Sequence, residues 1–248
     1  MSLWVVRAGR YGEQEETAVT NGLVCHAWNE LPDYSALTKD ELRKIYKEKY
    51  PAESEKQVVV GLGQVWRFAN DIEIGDMVAL PLKNESAFEF GRITGKYQYK
   101  QVAPNVMHIR TVEWLKKVPR SVFPEDILFS MNSLLTLFRV HGNDAETRVN
   151  KILAQSPTAL QAAIESPSIE NGVLADDETV DLAETARDEI LKFIQAKFKG
   201  HGLANLVGAI LRAQGYKTKV MPPGPDGAWI FWLVQDRSGS TSRVFVFK

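Results

Sequence analysis

The sequence has little that would cross-link the chain, anchor it in a membrane or charge it strongly. Cys25 is the only cysteine among 248 residues, which excludes an internal disulfide and a cysteine-rich zinc site. The four histidines are scattered without zinc-site spacing, and no apolar run approaches the length of a membrane span. The formal net charge is −1, so any contact with nucleic acid needs a local basic patch. We therefore predict a globular, cytoplasmic protein with no membrane partner.

Residues 1–140 combine apolar strand patterns with a few amphipathic helices, as in one mixed domain. Thr38 is placed to cap a helix with Glu41 three residues on, and Val65 and Phe68 recur at helical spacing. Strand patterns occur in the segments LWVV, GLVC, DMVALPL, AFEFGRITGKYQYK and MHIRTVEWL. These patterns predict an α+β fold with a mixed sheet.

An ordered run of strand patterns occupies the second half of this domain: GDMVALPL at 75–82, FEFGRITGKYQY at 88–99 and HIRTVEWL at 108–115. The run is similar to the small β-barrels of the PUA and EVE group, in which a GDxV phrase precedes a barrel strand. Several members of that group read modified bases by taking one base out of the stack into an aromatic-lined pocket. The resemblance therefore implies a mixed β-barrel domain at 1–140 that recognises DNA, or RNA, with modified bases.

Large aromatic residues beside polar or basic neighbours could form such a pocket, because a flipped base needs a flat wall and a few fixed donors and acceptors. Our first choice is Trp66 with Gln64 and Arg67. The other candidates for contacting nucleic acid are Trp28, Tyr97, Tyr99 and Trp114. A Trp on an amphipathic helix is more often core packing, and alternating tyrosines fit a barrel wall as well as a binding face. Both interpretations stay open.

Residues 141–183 form a predicted helical connector with an acidic linker. Asn143 and Ser156 are suitable caps for two short helices, and the stretch PSIENGVLADDETVD is acidic and poor in large apolar residues. An amphipathic helix is predicted next, from about Val180 to Lys197. We expect this helix to lead the chain into a separate C-terminal unit.

The segment Phe198–Gly227 predicts a helix, a strand and a turn. The helix is expected from His201 to Gln214, and Gly215 takes the position after it that favours a left-handed residue. The residues YKTKV alternate as in a strand, and the turn PPGPDG ends that strand. The segment resembles the opening of the catalytic domain of Mrr-like restriction endonucleases, a branch of the PD-(D/E)xK nucleases, with their pattern LVxAILxxxGY followed by PPGPDGGVDI. The resemblance implies metal-dependent phosphodiester cleavage, with Mg²⁺ in an intact member.

The resemblance stops after Gly227, where the family has a metal-binding Asp. Trp229 has the single codon TGG and the codon of Ile230 begins with AT, so a shifted frame through 228–231 permits VDIL. We interpret residues 228–248 as out of frame; the other interpretation is a diverged but genuine strand pair. Asp226 is then a remnant of the catalytic motif, and we expect no metal ligand and no cofactor in this chain.

Together these patterns predict an α+β protein of three parts. They are a PUA/EVE-like reader of modified bases at 1–140, the helical connector at 141–183, and an incomplete, truncated α/β restriction-endonuclease-like fragment at 184–248. The implied function is DNA binding in a modification-dependent, Mrr-like (type IV) system of defence against foreign DNA, and we predict that this chain does not cleave DNA. The alternative is a stand-alone reader of modified nucleic acid that uses residues 1–140 only.

Overall fold

A computed structural model of the chain describes residues 2–83, 85–142, 144–156, 182–198, 201–220, 230–235 and 241–247. The chain forms two compact units, Met1–Thr185 and Ala186–Lys248. The architecture is α+β, as the sequence predicts, and the main sheet is mixed and curled.

The first unit holds most of the regular structure. Its strands are β1 (Leu3–Val6), β2 (Leu23–Cys25), β3 (Met77–Leu82), β4 (Ala87–Ile93), β5 (Gln98–Ala103), β6 (Val106–Pro119) and β7 (Leu137–Arg139). Its helices are α1 (Glu15–Thr20), α2 (Lys39–Lys49), α3 (Glu55–Asn70), α4 (Glu125–Met131) and α5 (Ala145–Leu153), with a 3₁₀ turn at Arg120–Val122. Helices α1, α2 and α3 precede an uninterrupted run of four strands, β3 to β6, and α4 and α5 follow it.

Seven strands form one sheet in the order β2-β6-β4-β3-β1-β7, and β5 also pairs with β6. β1 and β3 are parallel, with Trp4 opposite Val78, whereas the other neighbours are antiparallel. A parallel pair needs a crossover, and the chain between β1 and β3 carries α1, β2, α2 and α3. Strand β6 pairs with β2, β4 and β5, so it connects the sheet to the β5–β6 hairpin.

The central strands β1 and β3 are buried on both faces of the sheet. Leu3 and Val5 of β1 face a core that includes side chains of α4 and α5, whereas Trp4 and Val6 face a core that includes Phe68 of α3. Alternate residues of a strand point to opposite faces. The uninterrupted apolar run LWVV is therefore what a strand covered on both sides requires.

Helices α2 and α3 begin at reciprocal capping boxes. Thr38 and Glu41 form the box at α2, which confirms the predicted start of that helix. Ser54 forms the second box with its partner three residues on, at the start of α3. The two helices approach closely where Gly61 lies, since a side chain there would meet the Tyr46 hydroxyl. These contacts set the direction in which α3 runs toward its end at residue 70.

One predicted strand is divided in the structure. The pattern AFEFGRITGKYQYK, expected as a single strand, forms β4 and β5, because the chain bends at Gly95 between them. The bend brings residues 95–97 to the edge of the sheet beside β6. The bend borders a cavity, which Lys96 and Tyr97 line.

Helix α5 lies in the predicted connector, yet it packs on the first unit. Ala145, Val149 and Ile152 belong to the same core as β1 and α4. The helix is capped by Asp144 with a φ of 50° and no side-chain hydrogen bond. The predicted cap Asn143 lies outside the described residues, as do residues 157–181 of the connector.

The second unit contains a helix followed by a three-stranded sheet. Helix α6 (Leu182–Lys197) spans the boundary between the units. Helix α7 (His201–Ala213) is followed by Gly215, which has the predicted left-handed conformation with a φ of 90°. β8 (Lys217–Val220) pairs antiparallel with β9 (Ile230–Gln235), which pairs with β10 (Thr241–Phe247). Asp226 and its neighbours lie outside the described residues. The frameshift therefore stays a hypothesis.

Candidate ligand pocket

An open cavity of about 420 Å³ lies at the C-terminal end of α3 in the first unit. The segment that leaves α3 supplies its apolar lining, from Ala69, Ile72 and Ile74. The polar and aromatic lining comes from Ser35, Asn70, Glu73, Lys96, Tyr97 and Arg110. The cavity is thus bounded by a helix end, the β4–β5 bend and β6, and its volume falls within the roughly 300–1,000 Å³ of small-ligand sites.

Arg110 of β6 fixes the helix end that borders the cavity. Its guanidinium donates to the carbonyl oxygens of Phe68 at 2.6 Å, Ala69 at 2.8 Å and Gly95 at 3.1 Å. The last carbonyls of a helix lack intrahelical partners and carry partial negative charge, so a buried cation satisfies both requirements. Burial lowers the pKa of Arg110. All three nitrogens are engaged with backbone, so Arg110 shapes the cavity by joining α3 to the β4–β5 bend.

Four aromatic rings extend from the cavity into the interior as a near-parallel stack. Tyr97, which borders the cavity, stacks on Tyr34 with 4.6 Å between centroids and 23° between planes. Tyr34 stacks on His108 at 5.0 Å, and His108 stacks on His26 at 4.7 Å. The three rings behind Tyr97 are at most 2% exposed. Tyr97 therefore rests on a fully enclosed aromatic base, which we call the ring stack.

The hydrogen bonds of the ring stack fix the tautomers of both histidines. His108 Nε2 lies 3.2 Å from the Leu31 carbonyl oxygen, which accepts only, so Nε2 carries the proton and Nδ1 accepts from the Tyr97 hydroxyl at 2.8 Å. His26 Nδ1 accepts from the backbone N–H of Trp28 at 3.2 Å, so its Nε2 donates to the Tyr34 hydroxyl at 2.6 Å. Each ring is held by a polar contact as well as by stacking.

The ring stack is uncharged near neutral pH. Burial lowers the pKa of His108 to about 4, and burial together with the nearby His108 lowers the pKa of His26 well below its ordinary value. Burial raises the pKa of both Tyr34 and Tyr97 above the ordinary tyrosine value. The wall that Tyr97 presents to the cavity is therefore flat, neutral and rigidly supported.

Tyr97 and Tyr99 lie on the same side of the hairpin, as their alternation predicts. Their ring centroids lie 6.0 Å and 5.1 Å from that of His108. Tyr97 is half-buried and lines the cavity, whereas Tyr99 is 38% exposed and lies outside the lining. Of the aromatic candidates from the sequence, Tyr97 alone is in the cavity wall.

Trp66, Gln64 and Arg67 do not form one pocket. The buried Gln64 accepts from the backbone N–H groups of Thr136 at 2.8 Å and Leu137 at 3.0 Å, so its amide joins α3 to β7. Trp66 packs against the apolar cluster between α2 and α3, and Arg67 is exposed. Residues two apart on a helix face different directions, which is why Gln64 and Trp66 separate.

Trp28 and Trp114 use their indole nitrogens within the fold. Trp28 Nε1 donates to the Tyr46 hydroxyl at 2.9 Å, and Trp114 Nε1 donates to the Ala18 carbonyl at 3.2 Å. Trp28 also packs edge-on against His26, with centroids 5.3 Å apart. It therefore supports the ring stack from behind, without lining the cavity.

Basic residues late in β6 are engaged with the protein. Lys116 Nζ donates to the carbonyl oxygens of Leu153 and Gln155 at the end of α5. Lys117 pairs with Glu85 at 2.6 Å, and Arg120 is buried. These basic side chains therefore have partners within the protein.

Sequence reasoning missed His108, Arg110, Glu73 and Lys96. His108 and Arg110 did leave a signal, because two polar residues at strand spacing in HIRTV must share one face of β6. That face is enclosed by a loop about eighty residues earlier, through the contact with Leu31. Glu73 and Lys96 left no signal, since each is an ordinary charged residue near a glycine.

A family model described as a domain of unknown function, DUF8426, matches residues 4–140, more than half of the chain. No curated protein matches the chain. Within the described residues, no helix is long and apolar enough to cross a membrane, and no three His, Cys, Asp or Glu side chains are grouped as metal ligands. The position of Asp226, where the nuclease resemblance would place its motif, lies outside those residues. The matched range contains the whole cavity and the ring stack.

Proposed function

The chain belongs to DUF8426, a family of unknown function, and we propose that its first unit reads nucleic acid by holding one extruded base in the cavity beside Tyr97. The observation that carries the proposal is a cavity of about 420 Å³ whose aromatic wall rests on an enclosed ring stack. A base that leaves the duplex loses its stacking, and an aromatic side chain restores about 1–3 kcal/mol of it. A wall that is already rigid loses little entropy when the base arrives.

The charge of the cavity wall suits a neutral heterocycle. The ring stack carries no charge near neutral pH because burial keeps both histidines unprotonated. The polar groups of the lining lie beside this wall, on the segment that leaves α3 and on the β4–β5 bend. A base could therefore stack on Tyr97 while its edge meets polar side chains.

Phosphate contacts would come from a few exposed cations on the elements that border the cavity. Arg67 lies near the end of α3, and Lys96 and Lys100 lie on the β4–β5 bend and β5; all three are exposed. The formal net charge of −1 gives no general attraction for a polyanion. We therefore expect binding with a shallow salt dependence, the log of affinity falling by about 0.9 per log of salt for each phosphate contacted.

We propose further that the chain acts as a non-cleaving relative of Mrr-like restriction endonucleases in defence against DNA with modified bases. Support comes from the sequence resemblance over Phe198–Gly227 and from the order of α7, the left-handed Gly215 and β8, which is the order that the resemblance requires. A stand-alone reader that needs only the first unit is the second candidate, favoured by the extent of the family match, residues 4–140.

Binding to DNA tests the reading function. Full-length protein is titrated into fluorescent duplexes that differ only in whether one central base is methylated, and the Tyr97→Ala variant is compared. Loss of stacking should weaken binding about ten-fold or more. Tyr11→Ala is the matched control, because Tyr11 is 71% exposed and lies outside the cavity. Equal affinities for wild type and Tyr97→Ala would contradict the proposal.

A nicking assay tests the missing cleavage. Modified plasmid is incubated with the purified protein and magnesium or manganese, and we expect no nicking above the buffer control. Cleavage that follows the protein through purification and disappears in Asp226→Ala would overturn the non-cleaving assignment. Binding without cleavage in the same preparation fits both the non-cleaving nuclease relative and the stand-alone reader. Deleting residues 186–248 then separates the two, since only the stand-alone reader should keep its function in cells.

A further inference from the structure

The segment between α3 and β3 makes a tight turn beside the cavity. The backbone N–H of Asp76 donates to the Glu73 carbonyl oxygen at 3.1 Å, and Gly75 has a φ of 93°. A positive φ at the third of four residues is the pattern of a type II turn, which favours glycine at that place. Ile74 takes the second place and so lies at the tip. We call residues 73–76 the rim turn.

Hydrogen bonds fix the rim turn to the sheet on two sides. The buried Asp76 carboxylate accepts from the backbone N–H of Ser2 at 2.8 Å and from Trp4 Nε1 at 2.9 Å, which ties the turn to β1. The backbone N–H of Gly75 donates to the Ile93 carbonyl oxygen at 2.7 Å, at the end of β4. The tip of the rim turn is therefore held in place by two strands.

Ile74 is the large apolar side chain that the rim turn exposes. It lines the cavity and is 58% exposed, whereas Ile72, two residues earlier in the same lining, is 3% exposed. Exposed aliphatic side chains are common on protein surfaces, so exposure alone indicates nothing. The position of Ile74 indicates a role, because a base that stacks on Tyr97 has to enter the cavity past its exposed lining, where Ile74 lies.

We propose that Ile74 is a wedge that enters a DNA duplex at the gap left by the extruded base. This inference rests on the proposed function. Extrusion breaks the stacking of the base on both neighbours and leaves a space between them. An apolar side chain in that space packs against the neighbouring bases, as isoleucine and other apolar residues do in proteins that unstack DNA. Since the rim turn is already fixed, it loses little entropy when it inserts.

Affinity for duplex and for single-stranded DNA tests the wedge in the full-length protein. The two fluorescent probes share one sequence with one central methylated base, and only the duplex has paired neighbours that the base must leave. Ile74→Ser should weaken binding to the duplex about ten-fold, the effect of losing one buried apolar side chain. It should leave binding to the single strand unchanged, since a single strand has no gap to fill. Tyr97→Ala should weaken binding to both probes, because both must stack the base on that ring.

Two further variants show whether the effect belongs to an apolar group at the tip. Ile74→Met should keep the duplex affinity of the wild type, because methionine also serves as a wedge. Leu134→Ser is the matched control, since Leu134 is likewise 58% exposed but lies outside the cavity lining, and it should change neither affinity. Because both positions are exposed, urea unfolding should show wild-type stability for all of these variants.

The outcomes separate the wedge from the function on which it rests. An unchanged duplex affinity in Ile74→Ser, an equal loss on duplex and single strand, or an equal loss in Leu134→Ser overturns the wedge. The reading function stays supported after each of these results if Tyr97→Ala weakens binding to both probes. No binding of the wild type to either probe overturns both.

Discussion

Replacing His108 with glutamine should make folding of the first unit less sensitive to acid. The His108 ring is completely buried in the ring stack, with Nε2 donating to the Leu31 carbonyl and Nδ1 accepting from Tyr97. Protonation would put a hydrogen on Nδ1, where the ring now accepts from the hydroxyl of Tyr97, and would place a charge between stacked rings. Glutamine can keep the donor toward Leu31 and has no proton to gain in this range.

The size of the effect follows from the two pKa values of the imidazole. An unfolded histidine titrates near pH 6.5, whereas burial lowers the pKa of His108 to about 4 in the folded protein. The stability that depends on the neutral ring is fully present above about pH 6.5 and is lost as the pH falls toward 4, because only the unfolded chain takes up the proton. The free energy of unfolding should fall by up to about 1.4 kcal/mol per pH unit, about 3 kcal/mol in all.

Urea unfolding followed by tryptophan fluorescence, repeated at several pH values between about 7 and 4.5, measures this slope. The difference between wild type and His108→Gln cancels the contribution of carboxylates that titrate in the same range. His141→Gln is the matched control, since His141 is exposed, and it should keep the slope of the wild type. If His108→Gln keeps the wild-type slope while remaining folded, the reasoning from a buried neutral imidazole is wrong.

Three further substitutions test the contacts around the cavity. Gln64→Leu should lower the free energy of unfolding by about 1–3 kcal/mol in urea, because two buried N–H groups lose their acceptor. It should leave DNA affinity unchanged, and a loss of affinity without a loss of stability would instead make Gln64 a binding residue. Arg110→Met should lower the free energy of unfolding by about 3 kcal/mol or more, since three carbonyls lose a charged donor. Hydrogen exchange of the backbone amides should show the end of α3 opening first. Equal changes in exchange along the whole of α3 would contradict this. Glu184→Ala should lower the free energy of unfolding by about 3 kcal/mol, because the buried Arg120 and the partly buried Lys83 both lose that carboxylate. A thermal midpoint equal to that of the wild type would refute this prediction.

Local chemistry accounts for the parts of the fold that the sequence could predict. The capping box of Thr38 with Glu41 and the apolar run LWVV each depend on neighbours in the chain, and both occur where the pattern predicts them. The left-handed Gly215 is a third case, since the end of a helix calls for a residue without a Cβ. Interactions between residues that are close in the chain can therefore be predicted from the sequence.

The cavity depends on contacts between distant segments, and no local pattern specifies these. Arg110 reaches the end of α3 about forty residues earlier, and His108 reaches Leu31 about eighty residues earlier. Tyr34 gave no sign in the sequence that it would stack on Tyr97. Our choice of Trp66 with Gln64 relied on closeness along the chain, but a helix turns these two side chains in different directions. Gln64 therefore joins α3 to β7, whereas Trp66 packs in the cluster between α2 and α3.

The ring stack suggests how a binding aromatic residue differs from a packing one. Trp28 and Trp114 have polar groups that reach across the fold to Tyr46 and Ala18, and those contacts join secondary-structure elements. Tyr97 also has its polar group satisfied, by His108, but that partner lies behind it in the enclosed stack while the ring borders an open cavity. The hydroxyl therefore holds the ring in place from the protein side. A Tyr97→Phe variant keeps the ring and loses this hold, so we expect it to bind DNA more weakly than wild type but better than Tyr97→Ala.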